Sequence, residues 1–221
     1  MMPRPRPAGH SGRPGKPLDP GRWARQGGAV TVLVVGAGPA GLVTALGLAR
    51  RDVPVRIVDS APRPAPGSRA KGLQPRTLEV LEALGVVEEV LAAGGRFPRW
   101  RNYRAGRVAW EKSVYELLGR GEPAATADVP YPETWMVPQW RTEEVLRRAL
   151  ARSGVEVEYG RAVTALDAGP DGVTAAVTGF GPVSAEHVVA ADGAASTVRT
   201  LLGVPFPGTT RAEVSADPKR N

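Results

Sequence analysis

The chain has 221 residues, a net charge of +7, 22 prolines, 27 glycines and no cysteine. Disulfides, thiolate catalysis and cysteine-bound metals are therefore excluded, and two histidines, His10 and His187, with no GxSxG turn, argue against a histidine metal site or a serine triad. No apolar run is long enough to cross a bilayer and no apolar segment marks a signal peptide, so a cytoplasmic protein without a membrane partner is expected.

Residues 1–28 hold Arg4, Arg6, Arg13, Lys16, Arg22 and Arg25 against Asp19, which places +5 of the +7 in this stretch. It is rich in Pro and Gly and has almost no large apolar residue, so it is expected to be a disordered tail. The remaining body carries an ordinary charge. No aromatic platform or recognition helix accompanies the basic stretch, so no nucleic-acid partner is expected.

Folded structure is expected from residue 29. Val30–Val35 is a short β-branched run suited to a strand buried on both faces. A glycine turn follows, Gly36-Ala37-Gly38-Pro39-Ala40-Gly41, and then a helical pattern to about Arg51. A second apolar strand, Val55–Val58, ends in Asp59. This is a βαβ unit with the dinucleotide fingerprint. Gly36 permits the tight turn, Gly38 lets a pyrophosphate approach the backbone, and Gly41 brings helix and strand together. The helix N-terminus, at Pro39 and Ala40, offers N–H groups and partial positive charge to phosphate. Asp59 is placed to accept both ribose hydroxyls. The motif does not choose between NAD and FAD, while the Asp59 carboxylate would repel a 2′-phosphate and argues against NADP at this site.

A Pro-rich loop, Ala61–Ser68, leads to Arg69 and Arg76, two cations placed to contact pyrophosphate or flavin; the alternative is a solvated loop that caps a helix. Pro75 starts a helix with Leu78, Leu81 and Leu84 as its apolar stripe, Gly85 ends it, and Val86–Ala93 forms a second short helix. Phe97–Tyr115 reads as a β-hairpin turning at Ala105-Gly106, and 119–133 as a loop. In Trp135–Trp140 the aromatics read as core rather than pocket lining. Gln139 stands just before a helix over Thr142–Ser153, placed to donate to a ligand oxygen or simply to start the helix. Strands are expected at Val155–Tyr159, Arg161–Ala168, Gly172–Thr178 and His187–Ala191, the last lying near an open sheet edge. It runs into Asp192-Gly193 and a helix over Ser196–Leu202, which makes a second phosphate- or ribityl-facing edge or, alternatively, an N-cap by Asp or Ser.

GAGPAGL, Asp59, RAKGLQPRTLEVLEALG, PQWRTEEVL and AADGAASTVRTLLGVPFPG occur in that order. Over about residues 30–210 this resembles the amino-terminal half of class A flavoprotein monooxygenases, the FAD-dependent aromatic and polyketide hydroxylases related to p-hydroxybenzoate hydroxylase. The resemblance implies an α/β fold: a Rossmann-like parallel sheet with a β-meander crossover, cut short before the substrate domain is complete. It assigns residues 29–205 to an FAD-binding domain, with 97–133 beginning the substrate side and 206–221 a tail. It implies that Gly36, Gly38, Pro39, Ala40 and Gly41 hold the FAD pyrophosphate, Asp59 the adenosine ribose, and Arg69 the flavin cofactor. Gln139 would serve the ribityl–pyrophosphate portion. Asp192 and Gly193 form the Asp-Gly motif, and Arg199 matches an arginine within it. In such enzymes NAD(P)H reduces FAD, and a flavin hydroperoxide passes oxygen to an aromatic or polyketide substrate. The later Gly-Asp stretch of the family is not in this sequence. The alternatives are therefore a non-catalytic FAD-binding fragment, one half of a two-chain flavoprotein completed by a second polypeptide, and, lacking any YxxxK pair, an NAD-dependent dehydrogenase.

Overall fold

The computed structural model describes residues 30–67 and 71–208. The expected tail at 1–28, Arg69, and residues 209–221 of the expected C-terminal tail lie outside the described residues.

The chain opens with β1 (Val30–Val35), α1 (Pro39–Ala49) and β2 (Val55–Asp59). Proline stands at the first turn of α1, where its missing N–H removes no helical hydrogen bond. Leu42, Ala45 and Leu46 face inward from α1 and are fully buried. A small antiparallel sheet has the order β3 (Gly72–Leu73), β7 (Trp135–Met136), β4 (Gly95–Arg96), and between these strands lie α2 (Pro75–Ala83) and α3 (Val87–Ala92). β5 (Trp100–Arg104) and β6 (Arg107–Lys112) form the expected hairpin, turning through positive φ at Ala105 and Gly106. α4 (Val114–Leu117) follows, and α5 (Gln139–Arg152) leads into β8 (Val157–Tyr159). β9 (Val163–Gly169), β10 (Gly172–Val177), β11 (Gly181–Ala190) and α6 (Thr197–Leu201) complete the described chain.

The main sheet has the order β8-β2-β1-β11-β10-β9. β8, β2, β1 and β11 are parallel, and β9, β10 and β11 form an antiparallel meander. This is a mixed α/β fold around a parallel sheet. Both faces of β1 are covered, which is why its sequence is a continuous apolar run rather than an alternating one. Val32 and Val34 join α1, α2, α3 and α5 in one core. Leu33 and Val35 pack with Val58, Val163, Ala175, Val177 and Val198 in the other.

The structure moves several expected boundaries. β11 begins six residues before the expected His187, because pairing with β10 from Val177↔Gly181 to Val173↔Ala185 recruits a Gly-Pro start that does not look like a strand. β11 is also interior, between β1 and β10, so the expectation of an open edge at His187–Ala191 is corrected; β8 and β9 are the edges. α5 starts at Gln139 rather than Thr142, with Pro138 extended just before it. Tyr115 belongs to α4 and not to the hairpin. Ser113 and Glu116 form a reciprocal capping box there, an S-x-x-E signature that the hairpin reading overlooked.

Candidate dinucleotide site

A cavity of about 740 Å³ opens at the carboxyl ends of the parallel strands. Val35 ends β1, Asp59 ends β2, Tyr159 ends β8, and Ala191 follows β11; all four line it. This crevice is where open α/β sheets bind ligands, because strand ends and helix N-termini converge there.

The three motif glycines do different work. Gly36 has φ 103°, and a Cβ there would lie 2.4 Å from the Ala191 carbonyl oxygen, so the residue is required by the backbone itself. A Cβ on Gly41 would lie 1.8 Å from the Gly36 carbonyl oxygen, so Gly41 is required for α1 to pack against the turn. Gly38 differs from both. Its backbone is extended, and a Cβ would meet nothing within 4 Å. Protein packing gives no reason for glycine at this position. The open space lies in the cavity wall beside Pro39 and Ala40, at the N-terminus of α1. Such a cradle fits a phosphate group.

Asp59 lies across the turn. Its Oδ2 accepts from the Ala37 N–H at 2.7 Å and its Oδ1 from the Ala61 N–H at 2.8 Å. The carboxylate thus ties the glycine turn to the loop after β2. Each oxygen retains acceptor capacity, so a ribose diol remains within its chemistry.

The carboxyl end of β11 runs through Ala191 into Asp192 and Gly193, which also line the cavity. Asp192 Oδ1 accepts from Ser196 Oγ at 2.6 Å, and Oδ2 from the Val198 N–H at 3.1 Å. Ser196 Oγ in turn accepts from the Arg199 N–H. Burial pushes the Asp192 carboxyl up, but hydrogen bonds from Ser196 and from backbone N–H groups outweigh it and hold the group below its ordinary value. The capping alternative for this segment is therefore present in the geometry, on a residue that also faces the cavity.

Gln139, the first residue of α5, lines the cavity, and its Nε2 donates to Glu143 Oε1 at 2.7 Å. Arg76 is elsewhere. Its side chain is 83% exposed, pairs with Glu79 within α2, and lines a separate groove between α1 and α2, so neither the cofactor contact nor the capping loop describes it. Arg199 donates to the Ala194 carbonyl and stacks on Phe206, and it is not among the cavity-lining residues. Trp135 is half-buried and donates to the Leu91 carbonyl, as a packing residue would.

Glu143, Tyr159, Arg161 and Arg63 line the cavity without having been singled out in the sequence. Glu143 follows Gln139 by four residues and shares its helix face because α5 starts at Gln139, which the expected start at Thr142 concealed. Tyr159 pairs in register with Asp59, a relation only the sheet reveals. Among the described residues no group of three or more metal-ligating side chains is assembled, and no helix is long and apolar enough to cross a membrane.

Comparison with known proteins agrees with this geometry. The family model described as FAD binding domain matches residues 29–217. A flavin-dependent monooxygenase from Mycobacteroides abscessus is 42% identical over 184 residues, which cover 82% of this chain and 38% of that protein. Aklavinone 12-hydroxylase from Streptomyces peucetius is 38% identical over 190 residues, covering 79% of this chain and 38% of that one. Among solved structures, an anhydrotetracycline hydroxylase from Streptomyces rimosus aligns with a TM-score of 0.65 at 34% identity, over 83% of this chain and 35% of that one. Aklavinone-11 hydroxylase in a ternary complex with FAD and aklavinone aligns with a TM-score of 0.64 at 33% identity, over 79% of this chain and 35% of that one. The chain spans a little over a third of the length of these relatives.

Proposed function

The chain belongs to the FAD binding domain family related to aromatic and polyketide monooxygenases, and from that premise we propose that it is the cofactor-holding part of an NAD(P)H-dependent hydroxylase of aromatic or polyketide substrates. The observation that carries this reading is the open cradle at Gly38, set beside the N-terminus of α1 at the carboxyl edge of the parallel strands.

Each residue has a role in this reading. Gly38, Pro39 and Ala40 border the pyrophosphate, and the N–H groups of the first turn of α1 face it. Gly36 and Gly41 shape the turn that makes this approach available. Asp59 holds the turn to the loop at 61 and accepts the adenosine ribose hydroxyls. Arg69, Gln139, Asp192 and Gly193 serve the flavin side. FAD supplies the electron transfer and oxygen chemistry when bound, with NAD(P)H as the transient reductant. This chain supplies position and charge around the cofactor.

A second reading, one half of a two-chain flavoprotein, starts from an exposed hairpin that fits further protein of either origin. Every residue of β5 and β6 is exposed, including Trp100, Tyr103, Val108 and Trp110. A two-stranded sheet is marginal in water, so this hairpin calls for more protein against it, in the same polypeptide or in another.

The test begins with the visible absorption of the purified chain plus FAD, since bound oxidised flavin is yellow and bound NAD is colourless. NAD(P)H and a panel of phenolic polyketides then follow. The 221-residue chain is expected to bind FAD and to oxidise NAD(P)H slowly, with hydrogen peroxide as the product. Stoichiometric hydroxylated product from the chain alone would refute the expectation of dependence on further protein. Product that appears only with an added polypeptide would support the two-chain reading.

A further inference from the structure

α5 carries a polar stripe that the roles above do not explain. Gln139, Glu143 and Arg147 recur every fourth residue and so stack along one helix face. Glu143 is the odd member. Its side chain is only 8% exposed, yet it lines the cavity. A carboxylate in the wall of a site for a doubly negative pyrophosphate repels the ligand unless its charge is balanced, and low dielectric magnifies the effect. Its neighbours suggest how this is managed. Oε1 accepts from Gln139 Nε2 at 2.7 Å, and Arg147 Nη1 stands 3.7 Å from Oε2. Arg147 does not line the cavity. Its Nη1 and the nearby Tyr159 hydroxyl are buried, and neither makes a hydrogen bond of good geometry. The guanidinium thus stands behind the wall between two polar neighbours, the Glu143 carboxylate and the Tyr159 hydroxyl.

We propose that Glu143 is a positioning residue that orients the Gln139 amide toward the cofactor, and that Arg147 is the counter-ion that makes this buried carboxylate compatible with a pyrophosphate ligand. An ionised carboxylate only accepts, so it dictates that Nε2 and not Oε1 of Gln139 turns toward it. The orienting role needs an acceptor at position 143 but no charge. The counter-ion role exists only because the charge is there. The proposal rests on the FAD reading above and makes the two roles separable.

The experiment compares Glu143→Gln, Glu143→Leu, Arg147→Met and the double variant Glu143→Gln/Arg147→Met in the full chain. FAD affinity is read by quenching of flavin fluorescence, and melting temperature is read without ligand. Glu143→Gln keeps the acceptor and is expected to bind FAD within about twofold of the parent chain. Glu143→Leu removes this acceptor and is expected to weaken binding about tenfold, the size of one lost hydrogen bond to a charged group. Arg147→Met leaves the carboxylate unbalanced and is expected to weaken binding by a similar factor and to lower the ligand-free melting temperature. Adding Glu143→Gln to Arg147→Met should restore both.

Restoration separates a counter-ion from a packing residue, because lost arginine packing would persist in the double variant. Parent-like binding by Glu143→Leu, or a double variant no better than Arg147→Met, would overturn the proposal. A parent chain that takes up no FAD would instead refute the cofactor reading. The melting temperatures of Arg147→Met and the double variant would then decide the counter-ion pair without FAD, and absence of recovery there would overturn it.

Discussion

Substituting Gly38 by Val separates folding from binding at the glycine turn, with Gly41→Ala as the contrasting perturbation. A Cβ at Gly38 meets no protein atom within 4 Å and the backbone is extended, so valine fits the ligand-free fold. Gly38 is the N-cap of α1, and replacing a glycine cap by an aliphatic residue costs about 0.5–1 kcal/mol. In a domain of this size that is a melting-temperature loss of about 1–4 °C. The branched side chain fills the cradle and holds a phosphate away from the first-turn N–H groups of α1. Loss of two charge-assisted hydrogen bonds at about 1.5–3 kcal/mol each weakens FAD roughly 100- to 10,000-fold. Gly41→Ala should show the reverse balance. Its Cβ would lie 1.8 Å from the Gly36 carbonyl oxygen, a backbone atom that cannot swing aside. Overpacking of this kind costs about 3 kcal/mol, or about 6–12 °C. The assay is a fluorescence-quenching titration of FAD and a thermal melt on the same preparations. Parent-like FAD affinity in Gly38→Val would refute the placement of the pyrophosphate. An unchanged melt in Gly41→Ala would refute the packing role of that glycine.

Asp59→Ala removes the acceptor of two backbone N–H groups as well as the proposed ribose partner, so it should weaken FAD about ten- to a hundredfold and also lower the ligand-free melting temperature. Asp59→Asn, with one acceptor oxygen, should fall between; equal FAD affinity in all three chains would remove Asp59 from the site. Asp192→Ala should cost about 1 kcal/mol of stability through loss of the Ser196 and Val198 hydrogen bonds, read as a denaturant midpoint. Because the folded carboxyl of Asp192 is held below its ordinary value, its contribution is present above the unfolded value of about 3.9 and is lost as pH falls below it. The difference between the parent chain and Asp192→Asn should therefore shrink on acidification through that range. A difference that grew on acidification would overturn this assignment.

The βαβ core was legible from residue types alone, because each constraint there is local. A β-branched run, a glycine that must take positive φ, a proline allowed only in a first helical turn, and an acid at the end of the next strand all act within thirty residues. The same holds for the hairpin, whose turn at Ala105-Gly106 is set by two adjacent backbone conformations. The sequence therefore determined the mixed α/β class with its parallel sheet and the glycine turn, and it pointed to Asp59, Gln139 and Asp192, which line one cavity. The tertiary structure decided what depended on contacts between distant segments. It put β11 inside the sheet, because pairing with both β1 and β10 is a long-range choice that a Gly-Pro start does not announce. It set Tyr159 beside Asp59 through a register across some hundred residues. It moved Arg76 to an outer groove and brought Glu143 to the cavity wall with Arg147 behind it, since which face of a helix meets a ligand depends on what the opposite face packs against.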